Sequence, residues 1–253
     1  MLMFKVTCIV VILVIVQSAA FNDAKESENK RMRRDAGLTA ALIGAGISAG
    51  ASLVGTTVGA LKRSDYSVAV SGSITNFAKW NMGLKQCVVE SGYMNIPMRS
   101  VSSGKREGFA GHKEGNTATG NWVQCTYKIL NSNVIIHLMY SAPFSFDFHY
   151  NQIAVAICHS SDSRCTNMKI GQMTNDARPY LARMDYYNTI RMLKLCKEGF
   201  CVTGVMGTSH HSEITWKVYP IIYDNLSNAV QSSAAKTRWD KADYDHFVVK
   251  ELM

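Results

Sequence analysis

From Tyr140 to Tyr150 the chain reads YSAPFSFDFHY, with rings at Tyr140, Phe144, Phe146, Phe148 and Tyr150. Between them stand Ser141, Pro143, Ser145, Asp147 and His149. A period of two sends one set of side chains to one face of an extended segment. Pro143 has no N–H to donate, so it cannot lie inside a central strand. The rings beyond it are therefore expected at a strand end or in a loop, where they suit contact with something other than water. Covalent chemistry has far less support. The seven histidines form no H-E-x-x-H pair. His210-His211 suits a turn. No catalytic residue, cofactor or metal is expected.

The N-terminal residues address the compartment. Lys5 precedes the apolar run VTCIVVILVIV and then QSAA, the order of a secretory signal peptide over residues 1–20. The run is shorter than the roughly 20 apolar residues of an anchoring helix. Residues 21–34 are polar and charged, as in a disordered pro-segment. They end in Arg31-Met32-Arg33-Arg34, which resembles a furin-type processing site with the cut after Arg34. A mature chain would then start at Asp35 and be secreted. Losing residues 1–34 removes six Lys/Arg and three Asp/Glu, so the formal charge falls from +8 to +5. A mild positive charge favours an anionic or zwitterionic surface. No long basic block remains to hold nucleic acid.

Cys8 leaves with the leader, and six cysteines remain. In a secreted chain an even count suggests disulfides, with 15 possible pairings. Short separations favour Cys158–Cys165 and Cys196–Cys201, which leaves Cys87–Cys125. Zinc is the competing reading, but no pair has C-x-x-C spacing.

Ala36 to Leu61 spans 26 residues without a charge, between Asp35 and Lys62-Arg63. Those flanks match a helix macrodipole. Read as a helix over residues 35–63, its uncharged part would be about 39 Å long, more than the hydrocarbon thickness of a bilayer. Gly44, Gly46, Gly50, Gly55 and Gly59 each weaken it by about 1 kcal/mol. Its hydrophobic mass is modest: Leu38, Leu42, Ile43, Ile47, Leu53, Val54, Val58 and Leu61. Such a segment forms where packing or lipid supports it and lets go elsewhere. GAGISA fits a dinucleotide fingerprint by letters alone, since no strand precedes it.

From Tyr66 to about Tyr223 the signals are short alternating runs: YSVAVSGSI, WVQCTYKIL, NVIIHLMYS, QIAVAICH, FCVTGVMG and EITWKVYPII. The class expected is mainly β, an antiparallel sandwich over residues 64–220 flanked by two helices. The second helix is placed on DARPYLARMDYYNTIRML, where Tyr180, Met184, Tyr187 and Arg191 recur on one side. Residues 221–253 lie past this body, as a disordered tail or an added helix. Asn225-Leu226-Ser227 is a glycosylation acceptor sequence, expected at the surface.

This order resembles the actinoporins, the pore-forming toxins of sea anemones, and above all their molluscan venom relatives. The resemblance runs from about Asp35 to Tyr219. Its anchors are NTATG (116–120), SAP (141–143) with the aromatic loop after it, YN (150–151), DYYN (185–188), and Ser91-Gly92 following the KW pair (79–80). It implies a secreted cytolysin that acts at the target-cell membrane. The N-terminal helix would leave the sandwich, enter lipid and join others in a homo-oligomeric, cation-permeable pore. A phosphocholine headgroup, as in sphingomyelin, would be held by Ser91, Trp122, Ser141, Pro143, Tyr150 or its neighbour His149, Tyr180, Tyr186 and Tyr187.

The chemistry fits that site. A quaternary ammonium has charge but no donor, so aromatic faces recognise it, while Tyr also offers a hydroxyl to phosphate. On this reading Tyr140 faces inward, Phe144 and Phe146 belong partly to the core, and Phe148, His149 and Tyr150 face lipid. The chain departs from the anemone proteins in three ways: its loop has no Trp, the Arg-Gly-Asp triplet is replaced in CKEGFC, and six cysteines are added. The rival reading is a secreted lectin-like binder of carbohydrate or lipid without a pore. It has no need of the uncharged stretch from Ala36 to Leu61.

Overall fold

A computed structural model describes residues 66–236 and 240–253. The leader, the pro-segment with Arg34, and the stretch 35–63 with its insertion residues lie outside the described residues.

Among the described residues eleven strands build two packed sheets: β1 (Ala69–Asn76), β2 (Met82–Ser91), β3 (Tyr93–Ile96), β4 (Arg106–His112), β5 (Asn121–Ile129), β6 (Val134–Ala142), β7 (Asn151–His159), β8 (Leu181–Tyr186), β9 (Leu193–Lys197), β10 (Phe200–Met206) and β11 (His211–Pro220). One sheet runs β3-β4-β1-β11-β10-β9 and the other β2-β5-β6-β7-β8. The β-sandwich expected from the alternating runs is present. It is not wholly antiparallel, because β1 pairs parallel with β11 from Ala69 opposite His211.

Strands β6 and β7 show why their sequences read as apolar runs rather than strict alternation. Val134, Ile136, Leu138 and Tyr140 face the core between the sheets, with Ile153, Val155 and Ile157 of β7. Their outward neighbours Ile135, Met139, Ala154, Ala156 and Cys158 are buried too, under a helical segment. Burial on both faces removes the polar half of the pattern. That segment comprises α1 (Ser163–Thr166) and α2 (Ile170–Asn175). Asp162 caps α1 by accepting from the backbone N–H of Arg164 and Cys165. The Cys158–Cys165 disulfide ties the segment to β7.

The other two disulfides are Cys87–Cys125, directly opposite across β2 and β5, and Cys196–Cys201 at the β9–β10 hairpin. That hairpin turns on Glu198 and Gly199 with φ of 53° and 79°, both left-handed as a tight two-residue turn needs. Gly204 is dictated by packing, since a Cβ there would run into the fully buried Trp216 ring.

The helix expected over residues 176–193 is not formed. Leu181–Tyr186 is instead an edge strand paired with β7. Ala182, Met184 and Tyr186 pack on the core, so the period is two, and the four-residue recurrence of Tyr180, Met184 and Tyr187 is coincidental. Helical structure comes earlier, in α1 and α2.

The described residues past β11 pack onto the sandwich. A 3-10 turn (Tyr223–Asn225) leads to α3 (Asn228–Lys236), α4 (Lys241–Phe247) and a π-turn at Val248–Leu252. Val230, Tyr244 and Leu252 cover Phe77 and Tyr219 in a second apolar cluster, and the Tyr244 hydroxyl donates to the Pro220 carbonyl at 2.5 Å. The acceptor tripeptide is only partly at the surface: Asn225 is half-buried and Ser227 is buried, its N–H bonded to the Phe77 carbonyl.

Candidate functional site

The site grows from one row across the five-stranded sheet. Ser91 lies opposite Trp122, Trp122 opposite Ser141, Ser141 opposite Gln152, and Gln152 opposite Asp185. Residues in register share a face, so side chains far apart in sequence line up at one end of the sandwich. Gln152 Nε2 donates to the Asp185 carboxylate at 2.6 Å, and Ser91 Oγ donates to the Gly120 carbonyl at 3.1 Å.

Two clefts open along this row. One, of about 450 Å³, is lined by Ser91, Trp122, Ser141, Pro143, Phe148 and His149. The other, of about 460 Å³, shares Trp122, Ser141, Phe148 and His149 and adds Tyr150 and Asp185. The two volumes meet at those shared walls, so a headgroup-sized ligand can occupy either. Among their polar groups, the Trp122 indole N–H has no hydrogen-bond partner. Aromatic faces beside the Asp185 carboxylate suit a cation, while the indole N–H suits an oxygen.

Pro143 is buried, ends β6, and starts the loop that carries the rings. Tyr140 points inward, fully buried, and its hydroxyl donates to Asn121 Oδ1 at 2.7 Å. Burial drives that phenol far above its usual pKa. Phe144 and Phe146 are pinned rather than free. Phe146 stacks on His210 with centroids 4.0 Å apart, His210 Nε2 donates to the Phe144 carbonyl at 3.0 Å, and Lys113 sits over the Phe144 ring. Phe148 is left 82% exposed. Tyr150 meets Tyr187 on the segment after β8, where Ile190 and Met192 are also exposed.

Eight of the ten residues expected to meet headgroup or lipid therefore gather here: six line the first cleft, Tyr150 lines the second, and Tyr187 touches Tyr150. Two do not. Tyr186 is fully buried, with its hydroxyl donating to the Arg191 carbonyl at 2.8 Å, and burial pushes its pKa up to about 12. Tyr180 is half-buried beside Arg164 and Asp176 and lines neither cleft. The loss of Tyr186 follows from the strand that replaced the helix, whose alternation turns it inward and leaves Tyr187 outward.

Sequence reasoning missed the groups that hold the loops. Asn121 Nδ2 lies 3.2–3.3 Å from the carbonyls of Ser91, Tyr93 and His112, and Asn151 Nδ2 reaches Gly207 and Ser209 carbonyls at 2.8 Å. Both are buried amides at strand starts beside the site, with the alternate apolar pattern offering no signal for them.

No family model matches the chain. It is 27% identical to Tereporin-Ca1 of Terebra anilis over 182 residues, which covers 69% of this chain and 96% of that protein. It is 26% identical to Echotoxin-2 of Monoplex parthenopeus over 199 residues, 76% of this chain and 71% of that one. Among solved structures the fold is similar to the lipid binding protein Nakanori, with a TM-score of 0.54, 12% identity, and coverage of 73% of this chain and 85% of that one. The named relatives are toxins, not enzymes. In sequence the chain is similar to these actinoporin-like toxins of molluscs, as its ordered motifs indicated, and in fold it is similar to a lipid binding protein.

Proposed function

We propose that the protein is a secreted cytolysin that docks on phosphocholine-bearing membranes and permeabilises them. The observation that carries this reading is the shared wall of Trp122, Ser141, Phe148 and His149 between two headgroup-sized clefts, flanked by exposed Phe148, Tyr187 and Ile190. Choline would rest against Trp122 and Tyr150 near Asp185, and phosphate oxygens would accept from Ser141 and the indole. The exposed rings and Ile190 would enter the interface, where amphipathic aromatics settle. With the body docked, the uncharged stretch 36–61 would transfer into lipid and assemble with other copies.

Dye release from vesicles tests this, with the chain starting at Asp35. Leakage is expected from choline-lipid vesicles and not from vesicles lacking choline. Deleting residues 35–61 should abolish leakage while binding persists. Equal leakage by both chains overturns the role of that stretch, and binding without leakage by the longer chain favours the lectin-like reading.

A further inference from the structure

A second group of rings lies at the same end of the sandwich, on the side of the six-stranded sheet. Tyr66, just ahead of β1, is 36% exposed, and Tyr93, the first residue of β3, is 54% exposed. His112, the buried last residue of β4, lies next to both. Its ring centroid is 3.7 Å from that of Tyr66, with planes at 13°, and 6.0 Å from that of Tyr93, with planes at 49°. Register explains the grouping. His112 stands opposite Ala69 of β1 and opposite Tyr93 of β3, so three chain segments deliver their rings to one place.

This group is continuous with the wall of the first cleft. Asn121 lines that cleft, and its Nδ2 donates toward the Tyr93 and His112 carbonyls at 3.3 and 3.2 Å. Lys113, the residue after His112, sits 5.6 Å over the Phe144 ring of the same cleft. The neighbours His210 and His211 tie the two groups of rings together: His210 stacks on Phe146, while His211 Nε2 donates to the Tyr66 carbonyl at 2.9 Å. Glu114 is partnered, accepting from the Tyr93 hydroxyl at 3.3 Å. Rings held in place this way lose little freedom on contact, so little ordering entropy opposes their use.

We infer that Tyr66 and Tyr93 form a second lipid-contact patch, which meets the interfacial layer of the bilayer whose headgroups enter the clefts. Each pairs an apolar ring with a hydroxyl, the side-chain type that settles where lipid meets water. Tyr93 is two residues past Ser91 of the cleft row, within about 7 Å, so a bilayer that reaches the row reaches this ring too. The inference rests on the membrane-docking reading and extends the contact from the five-stranded sheet to both sheets. It also sets Tyr66, to which residues 62–65 join the uncharged stretch, at the bilayer surface.

Co-sedimentation with choline-lipid vesicles tests it, comparing the chain starting at Asp35 with its Tyr66→Ser/Tyr93→Ser variant. The serine pair is expected to bind about tenfold more weakly, two rings being withdrawn from the interface. Tyr93→Ser alone, at the more exposed ring, should lose about threefold. Tyr66→Trp/Tyr93→Trp should bind at least as tightly as the parent, because Trp also belongs at that boundary. Free phosphocholine, measured by calorimetry, should bind the parent and the serine pair alike, since neither ring lines a cleft. Vesicle binding undiminished in the serine pair overturns the inference and leaves docking through the clefts standing. Loss of free phosphocholine binding in that pair overturns it too, by assigning the rings to the headgroup site. Self-association of the parent without vesicles, abolished in the serine pair, assigns the patch to a second copy and has the same effect. A parent that binds no choline vesicle overturns the docking reading itself.

Discussion

The rings of Tyr150 and Tyr187 meet with centroids 4.5 Å apart and planes at 53°. This contact joins the loop between β6 and β7 to the segment that follows β8. The next residue back, Tyr186, is fully buried. Adjacent tyrosines thus divide between surface and core, as the pleat of a strand requires. One belongs to the exposed surface beside the clefts and the other to the sandwich core.

That division separates two variants. Tyr187→Ala is expected to leave the melting temperature within a degree or two and to weaken binding to choline vesicles by about tenfold, the loss of one ring from the membrane interface and of its contact with Tyr150. Tyr186→Ala should instead destabilise the fold by about 3–5 kcal/mol, the cost of truncating a buried ring. Urea unfolding and vesicle co-sedimentation read the two effects. Equal stability of both variants would contradict the assignment.

His210→Ala should free the aromatic loop, because it removes the stack on Phe146 and the bond to the Phe144 carbonyl. Faster amide exchange across residues 144–148 and weaker vesicle binding are expected, with β6 and β7 unchanged. Unchanged exchange in the loop counts against the clamp.

The disulfides differ in the loops they close, with sequence separations of 38 for Cys87–Cys125 and 5 for Cys196–Cys201. Loop-closure entropy gives about 4 kcal/mol for the first and about 2 kcal/mol for the second. Paired Cys→Ser variants, compared by urea unfolding, should keep that order. A reversal would show that native packing around the shorter loop dominates.

Stability should fall with pH through His137. Its folded pKa is depressed from 6.5 to about 4, mainly by burial. Between those values the unfolded chain binds a proton that the folded chain refuses, so stability is complete above pH 6.5 and is lost as pH falls toward 4. The contribution is about 3 kcal/mol. Urea midpoints for the native chain and His137→Gln should converge over that range. Parallel curves would place His137 in a more solvated setting.

Much of the sandwich was legible because its central strands carry strong local signals. NVIIHLMYS and QIAVAICH are dense in β-branched and apolar residues, and both became strands. Strand β2 was less visible: it is an edge, largely exposed, with register shifts at Leu84/Gln86 and Val89/Ser91. The stretch from Asp176 misled because helical and strand periods both fit its ring spacing, and only pairing with β7 decides between them. The row across the five-stranded sheet was legible mainly through its resemblance to the actinoporins. The His210 clamp was not, since it acts across 66 residues of sequence.

The most direct measurement compares the chain starting at Asp35 with its Phe148→Ser/Tyr187→Ser/Ile190→Ser variant on choline-lipid vesicles, by co-sedimentation and dye release together. All three side chains are exposed, at 82%, 62% and 64%, so the fold should survive their replacement. The parent is expected to bind and release dye, and the folded variant to do neither. A variant that sediments and leaks like its parent contradicts docking through this surface.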